Sequence, residues 1–490
     1  MKYRLALAGI LVFAGWAAAD WTMFGGDPQR TGSAVFNREN VKQLRLLWSR
    51  TLDSTPVELN AATAPLIAGQ VVIAGTADDR LYGFDATSGK LLWSRQFDTQ
   101  GEPLNRAAGG WLCPDAMQAT PVIDLPGKTV YAVSRDGRLR ALDYSTGEDK
   151  HQPVQFTPPF SRSWSLNLVE GVVYTATSQS CNRAENGVWA IRVNDPAWPV
   201  THWRSSGGIW GSAGVAVGFD GRILAELGDG DMTTRLASAV VSLQPRTLGL
   251  SDYFTPSNAT SINRRDLDMG SISPVLFRFG RWALAAAAGK EGRIYLLNTA
   301  SLGGIDHRTA LFESPLYANE DEDFAGRGFW GALSSWEDSR ATRWVIAPAW
   351  GPQHSGSPAF PSLHGNAPDG SLMAFHVELK NGRPVLVPAW RSRNMRMPEP
   401  AVIAGGVVFA LESGENAQQV DSGGSMLTSK QRAAASASAR LYALDAATGE
   451  ELWSSRDSIR GFSHFGAPGV SGGRVFVTAG NVLYEFGSGE

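Results

Sequence analysis

Three observations predict an all-β protein in which eight short sheets close into a β-propeller. The first is a recurring hairpin, which reads LYGFDATSGKLLW at 81–93, LRALDYSTGE at 139–148 and LYALDAATGEELW at 441–453. The second is the composition, with 54 Gly and 17 Trp among 490 residues and only 19% charged residues. The third is a strand-like segment near each end of the chain. Pairing these two segments in one sheet would close the ring and leave no open sheet edge.

Each part of the hairpin has a physical role. The alternation of Leu, Tyr, Ala and Phe is typical of a half-buried strand. The Asp-x-x-Ser/Thr-Gly turn supplies a side-chain cap and a residue that tolerates positive φ. The Trp that ends the second strand is large enough to pack between neighbouring sheets. One repeat therefore predicts the outer half of one blade.

Weaker copies of the hairpin raise the count to seven blades. They lie at 188–203, 240–254, 294–305 and 372–390. Apolar strands that contain Gly precede the hairpins, as at 64–76, 164–177 and 400–413. The eighth blade is expected to combine 474–487 with 43–49, which predicts a single propeller domain over 20–490 rather than the three domains that length suggests.

Two other folds remain open at this point. A seven-bladed propeller is the first alternative, because the long intervals near 310–370 and 415–440 can hide or imitate a blade. A β-sandwich with chance repeats is the second. Residues 417–439 are predicted to be a flexible loop. The acidic run at 319–323 is interpreted as a solvated turn, with a metal-binding loop as the alternative.

The first nineteen residues have the pattern of a secretory signal peptide. Lys2 and Arg4 precede an apolar run from 5 to 16, and small residues follow at 17–19. We therefore expect a mature chain that begins at Asp20 and is periplasmic or secreted, with no transmembrane segment. The net charge of −3 argues against nucleic acid as a partner.

The cysteine content limits the redox chemistry. The chain has two cysteines, and in an oxidising compartment Cys113 and Cys181 can form one disulfide. It has no Cys-x-x-Cys-His motif, so no c-type haem attachment is expected. Any electrons that the protein releases would then pass to a separate acceptor.

The hairpin repeat resembles the tryptophan-docking repeat of the pyrroloquinoline quinone (PQQ)-dependent alcohol dehydrogenase family. The segment DWTMFGGDPQRTGSA (20–34) is similar to the mature start of that family, and the resemblance covers nearly all of the mature chain. It implies an eight-bladed quinoprotein fold with PQQ and Ca²⁺. Non-catalytic scaffold propellers of outer-membrane assembly share the repeat, so the site has to be argued separately.

The resemblance assigns two residues around the cofactor. Trp210, in GGIWGSAGVAV (207–217), is similar to the family's aromatic floor under the quinone, and the preceding glycines would let a flat ligand approach. Asp229, in LGDGD (227–231), takes the place of the family's Ca²⁺-binding Asn and is also an oxygen ligand. The structural alternatives are a blade-packing Trp and an ordinary Gly-Asp turn.

Three further residues complete the expected site. Asp266, in RRDLDMGSISPVL (264–276), matches the family's catalytic base and a metal ligand, with Asp268 as the fallback. Lys290, in AAAAGKEGRIYLLN (285–298), is expected to face the reactive oxygens of the quinone. Arg162 is the second candidate cation for the PQQ carboxylates. A capped turn between blades and a solvated Lys are the structural alternatives.

The sequence also departs from the family pattern. The family's two adjacent cysteines correspond to Leu112-Cys113, so the vicinal ring cannot form. The family's metal-binding Glu should fall near 180–185, where Cys181 or Asn182 takes the expected position and Glu185 lies slightly beyond it. The family's Asn-Trp pair is Phe329-Trp330. A disulfide between Cys113 and Cys181 is therefore hypothesised to replace the lost cap at the rim of the site.

Two functions follow from these patterns. The first is a periplasmic PQQ-dependent dehydrogenase that oxidises an alcohol or a sugar hydroxyl. The second is a non-catalytic propeller that binds protein partners in the cell envelope. A PQQ site needs several cations at the pore, and we expect them among Arg106, Arg162, Arg183 and Lys290. His464 and the other scattered histidines are expected to be structural or surface residues.

Overall fold

A computed structural model describes residues 20–104, 110–234, 236–320 and 326–489. The predicted signal peptide at 1–19, Arg106 and the part of the acidic run at 321–323 lie outside the described residues. Among the described residues, no helix has the length and apolar character needed to cross a membrane.

Eight antiparallel sheets form the propeller, and the strands of each blade run in chain order except in blade 8. From the first strand outward, blade 1 is Leu66–Ala68, Val71–Thr76, Arg80–Asp85 and Leu91–Gln96; blade 2 is Val122–Asp124, Thr129–Val133, Arg138–Asp143 and Asp149–Gln155; blade 3 is Asn167–Val169, Val172–Ser178, Gly187–Arg192 and Val200–Arg204; blade 4 is Ala216–Val217, Ile223–Glu226, Val240–Leu243 and Leu250–Phe254; blade 5 is Val275–Phe279, Trp282–Ala288, Ile294–Asn298 and Phe312–Glu313; blade 6 is Ser334–Glu337, Arg343–Trp350, Gly370–Lys380 and Arg383–Arg391; blade 7 is Val402–Ala404, Val407–Glu412, Arg440–Asp445 and Glu451–Ser454; and blade 8 is Gly469–Ser471, Arg474–Ala479, Val482–Gly487 and Arg45–Thr51.

Short strands and helices complete the chain. They are the strands Ser33–Ala34, Arg162–Ser163, Ile272–Ser273, Gly328–Phe329, Gly331–Ala332 and Ser362–Leu363, the 3₁₀ helices Arg38–Gln43, Gly110–Leu112, Cys181–Arg183, Met232–Thr234 and Met269–Ser271, and the α-helices Ala259–Arg264 and Ser429–Ala434.

Blade 8 closes the ring with both ends of the chain. Its outer strand Arg45–Thr51 pairs antiparallel with Val482–Gly487, with Thr51 opposite Val482. This pairing confirms the eight-bladed prediction over the seven-bladed alternative. It also satisfies the backbone groups that two separate edge strands would leave unpaired.

Repeat residues connect blade 1 to blade 2 and blade 6 to blade 7. The indole of Trp93 in blade 1 donates to the carbonyl of Tyr144 at 3.0 Å and covers Gly147 in the turn of blade 2. Gly147 has φ +73, and a Cβ there would lie 2.6 Å from the ring. Trp390 contacts Gly449 in the same way between blades 6 and 7. The turn therefore needs Gly both for its left-handed backbone and to leave room for the neighbouring Trp.

The N-terminal segment 21–34 fills the centre of the ring. Trp21 bridges to Ile67 in blade 1, and Ser33–Ala34 pairs parallel with the first strand of blade 7. Between these ends, the buried Arg30 donates to the carbonyls of Val215 at 3.1 Å and Leu166 at 2.9 Å. The segment thus contacts the first strands of several blades and crosses the axis of the propeller.

The long connection in blade 7 differs from the flexible loop predicted over 417–439. Val420 bridges to Met426, and helix Ser429–Ala434 starts with a capping box between Thr428 and Gln431. The indole of Trp111 donates to the carbonyl of Leu427 at 2.7 Å, which ties the connection to the loop between blades 1 and 2. The Thr-x-x-Gln pattern was the sequence signal for this helix.

Candidate functional site

A cavity of about 540 Å³ opens on the face of the ring opposite the Ser/Thr-Gly turns. It lies where the connections between blades meet the turns between the second and third strands. Its volume falls in the range of small-molecule sites. Five of the residues singled out in the sequence line it, namely Arg162, Trp210, Asp229, Asp266 and Lys290, together with Asp268.

Glycines let the loops of blades 4 and 5 pack backbone against backbone. The amide of Gly228 donates to the carbonyl of Gly208 at 2.8 Å. A Cβ on Gly207 would lie 2.2 Å from the carbonyl oxygen of Gly228, and one on Gly270 would lie 2.4 Å from the nitrogen of Gly228. These glycines are needed for the loop packing, and Gly208 also lines the cavity beside Trp210. The packing sets the positions of Trp210, Asp229 and Asp268.

Three carboxylates and one ammonium group form a cluster at the blade 4–5 side. Oxygen atoms of Asp229, Asp266 and Asp268 all lie within 4.8 Å of one another. Lys290 Nζ donates to Asp266 Oδ1 at 2.6 Å and to Asp268 Oδ2 at 2.7 Å. The Asp268 side chain is 4% exposed, whereas that of Asp266 is 47% exposed. Hence the carboxylate of Asp266 is far more open than that of Asp268.

Burial and the crowding of like charges raise the pKa values of Asp229 and Asp266. Burial and the charges of Asp268 and Asp266 raise the pKa of Asp229 to about 8. Burial also raises the pKa of Asp266, and the Lys290 ammonium opposes this shift. Burial alone would lower the pKa of Lys290, but Asp268 and Asp266 outweigh it, so that its pKa is raised and the side chain stays charged.

The acidic cluster has the donor set of a site for a hard cation. Carboxylate oxygens are the ligands that Ca²⁺ prefers. Asp229 Oδ1 is buried and has no hydrogen-bond partner among the described residues. An oxygen acceptor left without a partner at this depth is costly, and a bound cation would satisfy it. The residues present therefore fit a divalent ion.

Aromatic rings form the walls. Trp330 stacks on Trp350 with centroids 4.6 Å apart and the planes within 2° of parallel. Lys290 Nζ lies 5.3 Å from the centroid of Trp330. On the other side, the guanidinium of Arg162 lies 4.6 Å from the ring centroid of Trp210 and 5.7 Å from that of Phe465. Arg162 thus covers one face of the expected floor residue with a cation.

The loop that follows blade 1 holds the guanidinium of Arg162 in place. Its Nη1 donates to the carbonyls of Trp111 at 3.1 Å and Leu112 at 2.8 Å, while its buried Nε has no partner in the described part of the chain. Burial and the nearby Arg432 lower the pKa of Arg162 to about 9, against the opposing effect of Glu415. The guanidinium remains charged at neutral pH and offers a free donor for an anion.

The predicted disulfide joins Cys113 to Cys181 and supports the same rim. Cys181 Sγ lies 3.6 Å from the carbonyl oxygen of Leu112, the residue that also accepts from Arg162. This placement agrees with the hypothesis that the disulfide lies beside the site. It links two connections that would otherwise be held only by non-covalent contacts.

The structure does not bring every predicted residue to the cavity. The carboxylate of Glu185 lies 3.3 Å from Arg204 and 3.4 Å from His202, is half-exposed, and faces a separate surface pocket. Glu185 is therefore not placed to share a cation with Asp229. Arg183 is exposed and lines the same outer pocket. Arg183 ends the short helix Cys181–Arg183, and Glu185 follows it two residues later.

Several lining residues were not found from the sequence. Arg432 and the neighbouring Val420 and Met426 come from the blade 7 connection that the sequence suggested was flexible. His464 was expected to be structural or on the surface, yet its ring lines the cavity. Trp111, Trp350, Phe465 and Met397 carried no motif. Only the capping box before Arg432 was a usable signal.

Six Asp, Lys and Arg side chains line the cavity wall. Asp229, Asp266 and Asp268 oppose Lys290, Arg162 and Arg432. Because burial and the neighbouring carboxylates raise the pKa of Asp229 to about 8, its carboxyl group keeps its proton at neutral pH and does not offset one of the three cations. A divalent cation in the acidic cluster would add positive charge and would favour a ligand with several carboxylates.

A protein-family model matches two segments of the chain. The model of the PQQ_2 family, described as outer membrane protein assembly factor BamB, matches residues 30–230 and 389–488, more than half of the chain. The chain belongs to this family. The resemblance drawn from the tryptophan-docking repeats is thereby confirmed.

Relatives of known activity are similar over shorter stretches. The quinate/shikimate dehydrogenase (quinone) of Acinetobacter baylyi is 31% identical over 176 residues, which are 31% of this chain and 20% of that protein. The quinohemoprotein alcohol dehydrogenase ADH IIB of Pseudomonas putida is 29% identical over 178 residues, which are 33% and 24% of the two chains. The matched segments span about a fifth to a quarter of these relatives.

Solved structures of quinoprotein dehydrogenases share the fold of nearly the whole chain. The quinohemoprotein alcohol dehydrogenase ADHIIG from Pseudomonas putida HK5 superposes with a TM-score of 0.63 and 14% identity, covering 96% of this chain and 80% of that one. A europium-containing methanol dehydrogenase gives a TM-score of 0.59 and 13% identity, covering 96% and 98%. At these identities the likeness establishes the eight-bladed fold only.

Proposed function

We propose that the protein is a periplasmic quinoprotein dehydrogenase that binds PQQ and a divalent cation, with Ca²⁺ as the expected ion, and oxidises an alcohol or a sugar hydroxyl. The observation that carries this proposal is the convergence of Arg162, Trp210, Asp229, Asp266 and Lys290 on one cavity. These residues lie in separate stretches of the sequence and in the loops of three blades. Each was singled out from the sequence because of this cofactor.

The cavity meets the chemical demands of PQQ and its ion. Asp229, Asp266 and Asp268 would hold the cation, since their oxygens lie within 4.8 Å of one another. Trp210 would stack on the flat ring, and Arg162 would pair with a carboxylate through its free Nε. When bound, PQQ accepts the substrate hydrogen with its electron pair, and the cation polarises the reacting oxygen.

Asp266 is the residue best placed to accept the hydroxyl proton of a substrate. Its side chain is half-exposed to the cavity, and one oxygen is engaged by Lys290. A raised pKa makes its carboxylate a stronger base than an ordinary Asp. Lys290 holds that carboxylate in place. Its fixed positive charge would also stabilise negative charge that develops in the reaction.

The disulfide and the predicted signal peptide support an oxidising location. Structural disulfides persist outside the cytoplasm. Electrons would leave through a separate acceptor, because the sequence has no haem attachment motif. Two similar proteins, a quinone-linked quinate/shikimate dehydrogenase and a quinohemoprotein alcohol dehydrogenase, support this type of chemistry.

A titration of the purified mature protein with PQQ, with Ca²⁺ or with chelator, tests the proposal. We expect saturable quenching of tryptophan fluorescence that requires Ca²⁺ and is lost in Trp210→Ala. Trp282→Ala, a half-buried Trp in blade 5 outside the cavity, is the matched control and should bind like the wild type. Alcohol and sugar screens with an artificial electron acceptor would then identify substrates.

The opposite result has a defined meaning. No binding of PQQ at tens of micromolar in the presence of Ca²⁺ would refute the proposal. It would favour the second function, a non-catalytic envelope scaffold, to which the description of the matched family model also points. The search would then turn to protein partners.

A further inference from the structure

A second group of buried charged side chains faces the cavity from the connections around blades 7 and 8. Glu415 Oε1 accepts from Arg432 Nη2 at 2.7 Å, and Glu415 Oε2 lies 2.7 Å from His464 Nδ1. The three side chains are between 1% and 5% exposed. Because Arg432 and His464 each take one oxygen of the same carboxylate, they lie side by side. Both line the cavity.

Each of these two side chains presents one unused polar atom. Arg432 Nε and His464 Nε2 are buried and have no hydrogen-bond partner within the described ranges. Nδ1 of His464 donates, because its partner Glu415 is a carboxylate and accepts. Burial lowers the pKa of His464 against the opposing effect of Glu415, so the ring is neutral and Nε2 is an acceptor. The pair therefore offers a cationic donor next to a neutral acceptor.

A carboxylate beside a hydroxyl group is the ligand chemistry that matches this pair. A guanidinium N–H donates strongly to a carboxylate oxygen. An imidazole nitrogen that bears no hydrogen accepts from a hydroxyl. A ligand with only one of these groups would leave a buried polar atom without a partner, which costs binding free energy.

We propose that Arg432 and His464 bind a hydroxy acid, with its carboxylate on Arg432 and its hydroxyl group on His464 Nε2. This inference narrows the substrate class of the proposed dehydrogenase and rests on that function for the oxidation, although not for binding. Val420 and Met426, from the same connection as Arg432, also line the cavity and present apolar surface to the rest of the molecule.

The pair lies apart from the expected cation site. Asp229, Asp266 and Lys290 belong to blades 4 and 5 and the loop between them, whereas Arg432 and His464 belong to blade 7 and the loop that leads to blade 8. In a ring of eight blades these two groups are about three blades apart. A cofactor carboxylate is the other source of the same chemistry, and the experiment below separates the two.

The first measurement is calorimetric titration of the cofactor-free mature protein with lactate and with propane-1,2-diol, its uncharged counterpart. We expect lactate to bind at least tenfold more tightly, because the diol leaves the Arg432 guanidinium without an anion. Propionate, which lacks the hydroxyl group, should bind with intermediate affinity. Equal binding of lactate and the diol would overturn the proposal.

Two variants locate the site. Arg432→Gln with Glu415→Gln removes the ion pair without leaving a lone buried charge, and should weaken lactate at least tenfold. His464→Asn should weaken lactate more than propionate. The matched control is Arg140→Gln with Asp136→Asn, which removes a similarly buried pair in blade 2 outside the cavity and should bind lactate like the wild type.

Thermal melts establish which variants fold, and His464→Asn keeps the test decisive if the double variant does not. Retained lactate affinity in either folded variant would overturn the proposal. Titration of the same proteins with PQQ and Ca²⁺ shows whether the carboxylate on Arg432 belongs to a substrate or to the cofactor. Weakened PQQ binding with no lactate binding by the wild type would assign the carboxylate to the cofactor and overturn the substrate assignment. Lactate binding without PQQ binding would instead reject the proposed dehydrogenase and leave the hydroxy-acid site standing.

Discussion

Replacing Lys290 by Gln tests the cation site without assuming any cofactor. Lys290 Nζ lies 2.6 Å from Asp266 Oδ1 and 2.7 Å from Asp268 Oδ2, and the Asp268 side chain is 4% exposed. Removing one partner of a buried ion pair leaves an uncompensated charge and costs about 3–5 kcal/mol. Asp229, already forced to hold its proton by the same crowding, cannot relieve it. We therefore expect Lys290→Gln to be the less stable protein in chelator.

The same substitution should make a divalent cation more effective. With the ammonium gone, the carboxyl groups of Asp229, Asp266 and Asp268 remain, and the Lys290 charge no longer competes with a cation for them. A cation that binds only the folded state stabilises it by mass action. Millimolar Ca²⁺ should therefore return the melting temperature of Lys290→Gln to near that of the wild type, and its Ca²⁺ affinity should exceed the wild-type value at least tenfold.

The assay is a thermal melt of wild type and variant in chelator and in Ca²⁺. The stability loss corresponds to a fall in melting temperature of several degrees, because roughly 1–2 °C accompanies each kcal/mol in a chain of this size. Lys90→Gln, an exposed Lys in blade 1, is the control and should melt with the wild type. If Lys290→Gln is as stable as the wild type in chelator, or if Ca²⁺ does not restore it, the three carboxylates are not the cation site.

Two further predictions concern the stability of the fold. Replacing Cys113 and Cys181 by Ser should destabilise the fold by about 4 kcal/mol, because the bridge closes a loop with a sequence separation of 68; chemical denaturation measures the loss, and intact-mass analysis showing two free thiols in exported protein would refute the disulfide. Burial raises the pKa of Glu485 to about 7 against the opposing Arg474. Because the pKa of Glu485 is higher in the folded than in the unfolded state, its contribution to the free energy of unfolding is complete below the unfolded pKa near 4.5 and is lost as pH rises through 7. Over that interval the free energy of unfolding of the wild type should fall by about 3 kcal/mol relative to that of Glu485→Gln. Parallel pH profiles for the two proteins would contradict this assignment.

The blade repeat was predictable because its interactions are local. A Gly that must adopt positive φ, an Asp that caps the turn and a Trp that covers the next turn are all written within about a dozen residues, as in 81–93. The same logic placed the chain ends in one blade, since a closed ring leaves no edge. Trp93 and Gly147 illustrate how a side chain and a turn 54 positions apart in sequence can meet by blade repetition alone.

The acidic half of the site was also predictable, through resemblance rather than geometry. Asp229, Asp266 and Lys290 were singled out because their segments resemble those of the family, and the structure brings all three to the cavity. Glu185 shows the limit of that reasoning. It has a suitable side chain at nearly the expected position, but the short helix Cys181–Arg183 ends just before it and its carboxylate pairs with Arg204 on the outside.

The sequence by itself determined the fold, the ring closure, the disulfide partners and the candidates for the cation and cofactor. Only the tertiary structure decided which other side chains line the cavity with these candidates. Arg432 lies in the long connection of blade 7, and His464 lies in the loop between blades 7 and 8; neither segment contains a repeat or a motif. The two side chains contact Glu415 because the fold brings this connection and this loop together. The charge balance of the cavity was likewise beyond the sequence, because burial and direction of a charged side chain depend on which loops converge at the axis.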